Sequence, residues 1–397
     1  MAEVPPMPWK ETRVMDQKIR MIGDWLSEEY SVSELSRIYG VSRKTLYKWI
    51  GRYEMDPGAG LKDQSRVPLT MPRATSVELV AEILACRSSH ERWGARKLLA
   101  WLGDHRPEKK WPAASTTSEI LRRHGMMHSR RKRHHVAPYS EPFLKSYQPN
   151  EVWCGDFKGQ FRLGVGDLCY PLTVSDSFSR YLLGCWGLEH PSYLATRSSF
   201  ERAFCEYGLP AAIRTDNGAP FASVGIGGLS SLAVWFIKLG IWPERIEKGH
   251  PEQNGRHERL HRTLKAEAIC PPRNTIGQQQ RAFDRFRASY NQERPHEALG
   301  QKPPASIYRT SSRKYPARLA AVEYPRPFKE RQVKHNGTIK WRGEEIYLSS
   351  VLSGELIGLK QIDNATWKIY FSFYPLGLLD DITLKITPIK SVTYVSG

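Results

Sequence analysis

No two of the six cysteines stand as C-x-x-C: Cys86, Cys154, Cys169, Cys185, Cys205 and Cys270 are scattered along the chain. That spacing excludes a cysteine-based zinc finger and suits reduced structural thiols in a cytoplasm. No apolar run reaches transmembrane length, which argues against a membrane-spanning protein. The opening residues carry Pro5, Pro6 and Pro8 and lack the pattern of a signal peptide. Negative charge is short as well. Against 59 Lys and Arg stand 41 Asp and Glu, a net charge of +18 over 397 residues. Such an excess calls for an anionic partner; nucleic acid is the commonest, and a membrane surface is the rival. The length allows roughly two to four domains and a sizeable core.

What is present begins with helices. Residues 11–55 are helical in pattern with one break. From Ser31 to Trp49 the chain reads as helix, glycine turn at Gly40, helix, with Ser42 as N-cap of the second. That is the pattern of a helix-turn-helix, whose second helix enters the major groove. Arg43, Lys44, Tyr47 and Lys48 then face DNA, while Val41, Leu46 and Ile50 pack inward. The Asp56-Pro57-Gly58-Ala59-Gly60 stretch breaks the pattern as a linker. A second helical set over residues 74–127 reads as another helix-turn-helix, its third helix beginning near Ser115 and Glu119. A basic linker at 128–145 follows. Arg122, Arg123, Arg130, Arg131, Lys132 and Arg133 lie in or beside it with no acid between them, which suits contact with a phosphate backbone. The interleaved His124, His128, His134 and His135 lack metal-ligand partners.

Between residues 146 and 310 the pattern alternates. Strands are expected at 152–163, 168–175 and 181–188, a helix at 193–207 and a strand at 211–215. A helix at 229–239, a strand at 242–247 and a further helix after Pro251 complete a mixed α/β sheet. Two segments deliver an aspartate near a strand: Trp153-x-x-Asp156, and Thr215-Asp216-Asn217-Gly218, where the strand runs into a turn signal. Downstream, Pro251-x-x-Asn254-Gly255-x-x-Glu258-Arg259 opens a helix. On it Asn254, Glu258, His261, Arg262 and Lys265 fall on one face, Leu260 and Leu264 on another. Asp176, in a turn between two strands, reads as structural.

These words, with Thr263-Leu264-Lys265, Tyr290-Asn291-x-x-Arg294-Pro295-His296-x-x-Leu299-Gly300 and Pro303-Pro304-Ala305, resemble bacterial insertion-sequence transposases with a retroviral-integrase-type catalytic core. The resemblance implies an RNase H-like fold and a D-D-E triad of Asp156, Asp216 and Glu258. The usual spacing of that core, counted on from Asp216, lands on Glu252. The Gly- and Ser-rich stretch from Phe221 to Leu229 reads as an insertion that lengthens it, and the word match favours Glu258. The absence of paired cysteines also means that the zinc-binding N-terminal domain of retroviral integrases is not carried here.

The implied chemistry is metal-dependent. Three carboxylates suffice to hold two Mg²⁺ (or Mn²⁺) ions, which keep waters and prefer oxygen. The implied activity nicks the terminal inverted repeats of a transposon and joins the 3′-hydroxyl ends to target DNA. Asn254, Arg262 and Lys265 would then contact DNA, with Arg262 and Lys265 on terminal phosphates. The implied partners are DNA and further copies of the chain, as a dimer or tetramer, with no membrane. The implied setting is the bacterial cytoplasm, in association with the nucleoid. A rival of another class is a transcriptional regulator with an inactive integrase-like core, which should lack one of the three carboxylates. A simple RNase H-like nuclease would not need two DNA readers. At residues 325–397 strand patterns predominate, with Asn336-Gly337 as a hairpin signal between 332–335 and 338–341. A small SH3-like β-barrel is expected there, and the resemblance to the C-terminal barrels of integrases implies a contact with DNA or another subunit.

Overall fold

The computed structural model describes residues 14–63, 74–127, 146–223, 225–246 and 255–389. The chain divides into two units, residues 1–74 and 75–397. The first holds α1 (Val14–Leu26), α2 (Val32–Ile38) and α3 (Arg43–Met55). Ser31 caps α2, and Glu34 reaches back to the Ser31 amide at 2.8 Å, a reciprocal capping box. Gly40 takes φ +62° in the turn, where a side chain would be strained. Ser42 then caps α3 by accepting from the Thr45 amide, as its position in the sequence predicts. Met21, Ile22, Leu35, Leu46, Trp49 and Ile50 form the core, with Val41 packed against it.

The second unit opens with α4 (Val77–Ser89), α5 (Ala95–His105) and α6 (Ala114–Arg123), packed around Ile83, Trp93, Leu98, Leu102 and Leu121. The α6 cap is Ala113, without a side-chain hydrogen bond, so the helix starts just before Ser115.

A mixed sheet follows. Its strands are β1 (Val152–Phe157), β2 (Phe161–Arg162), β3 (Leu168–Asp176), β4 (Leu182–Leu188), β5 (Ala212–Thr215) and β6 (Trp242–Arg245). β3 is antiparallel to β1 and β4, whereas β1, β5 and β6 run parallel. α7 (Tyr193–Tyr207) and α8 (Ser231–Lys238) cover one face; α9 (Gly255–Leu264) and α10 (Ile276–Gln292) cover the other. This is the arrangement expected of an RNase H-like core.

The alternation of β1 decides which residue meets which layer. Trp153 is fully buried against Phe204 of α7, and Gly155 lies under Phe200 of the same helix. Cys154 and Asp156 therefore face the α9 layer.

The C-terminal strands are β7 (Lys329–Gln332), β8 (Thr338–Trp341), β9 (Glu344–Tyr347), β10 (Leu356–Gln361), β11 (Thr366–Phe371), β12 (Tyr374–Asp380) and β13 (Ile386–Pro388). They form an open five-stranded sheet, ordered β13-β12-β11-β10-β7, and a separate β8–β9 hairpin. Among the described residues they do not close as the expected barrel would. The expected hairpin at Asn336-Gly337 forms only at its turn, where Lys334 N donates to the Thr338 carbonyl at 2.8 Å. The turn forms, with Gly337 at φ +79°, but β7 pairs with β10 and β8 with β9. The hairpin turn is instead Arg342-Gly343, both at positive φ, as a tight two-residue loop requires. This layer shares a core with the sheet: Val152, Ala212 and Trp242 pack with Ile357, Phe371 and Leu376. Lys238 of α8 pairs with Glu355 at 2.8 Å.

A methyl group at Gly155 would lie 2.9 Å from Phe200 Cζ, inside contact distance. Gly155→Ala should therefore destabilise the core by about 1–3 kcal/mol through overpacking. Adding Phe200→Leu should recover part of that loss in a denaturant titration; an additive loss would show the crowding to be elsewhere.

Candidate active site

β1 and β5 are adjacent and parallel, with Gly155 opposite Thr215 in register. The next residue on each is an aspartate. Asp156 and Asp216 thus leave neighbouring strands, about 4.8 Å apart by ordinary sheet geometry, at their carboxyl ends. In α/β sheets that is where ligands gather.

Asp216 is set by its turn. Its Oδ1 accepts from the Gly218 amide at 3.1 Å, and Asn217 Nδ2 donates to the Ile246 carbonyl at 2.6 Å, tying the turn to the chain after β6. Burial raises the Asp216 pKa, and the Gly218 hydrogen bond only partly opposes it. On the same strand, Arg214 pairs with Glu244 of β6 at 2.6 Å, both nearly buried.

Asp156 is buried and stands opposite Thr173 of β3. The Thr173 hydroxyl lies 3.2 Å from the Asp156 carbonyl, 2.7 Å from His257 Nε2 and 2.8 Å from His261 Nε2. A hydroxyl has one proton, so at least one imidazole donates to it. Burial drives the His257 pKa down to about 4. Burial, then His257 and Lys158, drive that of His261 down to about 2. Both rings are neutral at pH 7. The 3.9 Å approach of His261 Nδ1 to Asp156 Oδ2 is accordingly neither a salt bridge nor a hydrogen bond.

The two histidines and Asp156 bring potential metal-ligand atoms within 4.8 Å of one another. The D-D-E pattern does not foresee this set. Both Nε2 atoms are engaged by Thr173, so the cluster is better described as the clasp that seats α9 on β3.

Glu258, Arg262 and Lys265 are exposed on one side of that helix segment. His257, Leu260, His261 and Leu264 are buried on the other. His261 is thereby corrected: it belongs to the buried face, because Thr173 offers it a partner there. Lys265 opens a π-helical turn, Lys265–Ile269, that ends the regular 3.6 periodicity. Sequence reasoning passes over Thr173 and His257. The available signal is a pair of histidines at i and i+4 in step with Leu260 and Leu264.

Asp176 is a buried turn acceptor, taking Ser179 N at 2.7 Å, Ser179 Oγ at 2.6 Å and Asn150 N at 2.8 Å. Arg43, Lys44, Tyr47 and Lys48 are all exposed on α3. Arg122 and Arg123 are exposed too, but both are held by Glu119 of their own helix, at 2.7 and 2.9 Å. Arg130, Arg131, Lys132, Arg133, Asn254 and Glu252 lie outside the described residues, as does all of 128–145.

The fold and these residues define an integrase-type core in a chain that also carries helix-turn-helix DNA-binding domains. Residues 146–251 and 239–304 match the Integrase core domain family. Residues 17–68 match a Helix-turn-helix domain and 45–121 a Homeodomain-like domain. The chain is 29% identical over 260 residues to the "Insertion element IS476 uncharacterized 39.2 kDa protein" of Xanthomonas euvesicatoria, covering 64% of this chain and 71% of that protein. It is 28% identical over 234 residues to the "Insertion element IS407 uncharacterized 31.7 kDa protein" of Burkholderia multivorans, covering 58% and 80%. The HTLV-2 integrase catalytic core domain, solved in complex with magnesium, is 19% identical with a TM-score of 0.33, covering 41% of this chain and 99% of that one. That structural likeness is too distant to carry weight alone. The domain matches and the insertion-element relatives agree: the chain carries an integrase core domain and is similar to insertion-element proteins. Its core is of the polynucleotidyl-transferase type, and cores of this type use divalent metal ions. Among the described residues no helix is long and apolar enough to cross a membrane.

The buried histidines set a pH dependence. Their folded pKa values lie below the ordinary 6.5, so the stability tied to their neutral form is complete above pH 6.5. It is lost as pH falls from 6.5 towards about 4 for His257, and further for His261. Each costs about 1.4 kcal/mol per pH unit over that window. The melting temperature should drop between pH 7.5 and 5.5, and His257→Gln should flatten the drop. A melting temperature constant across that range would show that the rings do not titrate on unfolding.

Proposed function

We propose that this chain is a DNA transposase. It binds the terminal inverted repeats of its element, nicks them by metal-dependent phosphodiester hydrolysis, and joins the 3′-hydroxyl ends to target DNA by strand transfer. The observation that carries the reading is the β1–β5 register, which sends Asp156 and Asp216 out side by side next to the helix that bears Glu258.

These residues fit divalent metal on chemical grounds. The donors are hard carboxylate oxygens, and burial holds the Asp216 carboxyl above its ordinary pKa, a cost that a bound cation would offset. Asp156, Asp216 and Glu258 would hold two Mg²⁺ (or Mn²⁺) ions, which when bound supply activation of the attacking oxygen and charge stabilisation at the leaving one. The chain's own residues do the rest. The Thr173 clasp fixes α9, and so the direction in which Glu258 points. Arg262 and Lys265, beyond Glu258 on its exposed side, hold the phosphates of the DNA end, with Asn254 beside them. The α3 residues Arg43, Lys44, Tyr47 and Lys48 read the end sequence. Arg122, Arg123 and the basic linker at 128–145 follow the backbone between readers at 11–55 and 74–127 and a core at 146–310. The domain at 325–397 contacts DNA or a second subunit. The working form is a dimer or tetramer on DNA, in a bacterial cytoplasm at the nucleoid. No observation favours the rival, a regulator with an inactive core.

Asp156→Asn, Asp216→Asn and Glu258→Gln should each abolish nicking and joining of the element's own ends while retaining end binding in a gel-shift assay. Normal joining by Glu258→Gln together with a dead Glu252→Gln would overturn the choice of the third carboxylate.

Replacing Arg43 and Lys44 with Ala should weaken specific end binding by about 1–3 kcal/mol for each base that is no longer read. Lys132→Ala should instead weaken binding to every sequence alike and lower the salt slope by about 1. An unchanged footprint in the first case would remove α3 as the reader.

A further inference from the structure

Beside the amino end of α9 lies a cavity of about 600 Å³ whose lining includes Arg180, Arg256 and Lys302 together with Ser177 and Ser306. No carboxylate is among its described lining residues. Two guanidinium groups converge on one serine: Arg180 Nη1 donates to the Ser177 carbonyl, and Arg256 Nη1 donates to Ser177 Oγ at 3.3 Å. Arg180 is half-buried, and its pKa is lowered by burial first and then by the nearby charge of Arg256. Asp176 lines the adjoining cleft, and its two oxygens already accept from Ser179 and Asn150. Arg256 and Lys302 are exposed and only Arg180 is half-buried, so the three cations form an open-mouthed, acid-free lining whose mutual repulsion an anion would relieve.

The lining offers donors of hydrogen bonds and positive charge, and guanidinium forks match phosphate oxygens. The cavity also has a direction. It shares Ser177, Arg180 and Arg256 with a narrower cleft that reaches Gly155 and His257, the chain neighbours of Asp156 and Glu258. We propose that this cavity is a phosphate-binding site whose occupant is a backbone phosphate of the DNA strand running past the reaction centre. The assignment to a DNA strand rests on the transposase reading; the phosphate site itself does not.

Two measurements test it on the full-length protein. Inorganic phosphate, titrated at constant ionic strength, should raise the melting temperature of the wild type. The rise should be lost in Arg256→Gln/Lys302→Gln and kept in Arg281→Gln/Arg285→Gln, which removes the same charge from exposed positions of α10. With duplex DNA, the slope of log affinity against log salt should fall by nearly 1 for each phosphate left unneutralised in the first pair, and the charge-keeping pair Arg256→Lys/Lys302→Arg should hold it. Lys302→Gln alone, at an exposed position, keeps the test open should Arg256 matter to folding. Absence of a phosphate-dependent rise in the wild type, or an equal loss in both Gln pairs, would overturn the site. A lost phosphate response with an unchanged DNA slope would overturn the DNA strand as occupant and leave a free phosphate ester. Failure of the transposase reading shows separately, as wild-type protein that does not nick with added Mg²⁺, and leaves the phosphate titration readable.

Discussion

The alternation of side chains along β1 is the constraint on which the rest of the core depends. Trp153 and Gly155 must face α7, because Phe200 and Phe204 fill that side completely. Asp156 is thereby committed to the opposite face, where α9 crosses. Once that face is fixed, Thr173 supplies a buried polar anchor for α9 on the sheet. One hydroxyl meets two imidazoles and the Asp156 carbonyl. The helix is thus held by a buried polar network within an apolar seam of Leu260 and Leu264. Such a network positions well only when every member is satisfied, and neutral histidines allow that where charged ones would repel each other and Lys158.

Much of this architecture is legible in the sequence, for reasons that are local. Strands β1, β3 and β4 and helix α7 announce themselves by alternation, apolar runs and a serine cap. The exposure of Glu258, Arg262 and Lys265 follows from helical periodicity. Periodicity alone misplaces His261 because, at about 100° per residue, it falls between the two faces. What decides its side is Thr173, 88 positions away, and no single-chain pattern records that. The same distinction explains the C-terminal strands. Asn336-Gly337 does make a turn, but which strands pair across it is a non-local matter, and β10 claims β7. Closure into a barrel is likewise a property of strands far apart in sequence.

The two proposed aspartates are positioned by register and not by contacts of their own. A slip of one residue between β1 and β5 would move Asp216 out of line with Asp156 and turn neighbouring side chains to the other face. Two features fix the register of β5 on its other side, against β6. Arg214 and Glu244 form a nearly buried pair across β5 and β6, directly opposite each other in register. A buried pair contributes little net stability, but breaking it by misalignment leaves two uncompensated charges. The Asn217 bond to the Ile246 carbonyl then fixes the turn just past Asp216. The buried ion pair is therefore better understood as a register lock than as a source of stability.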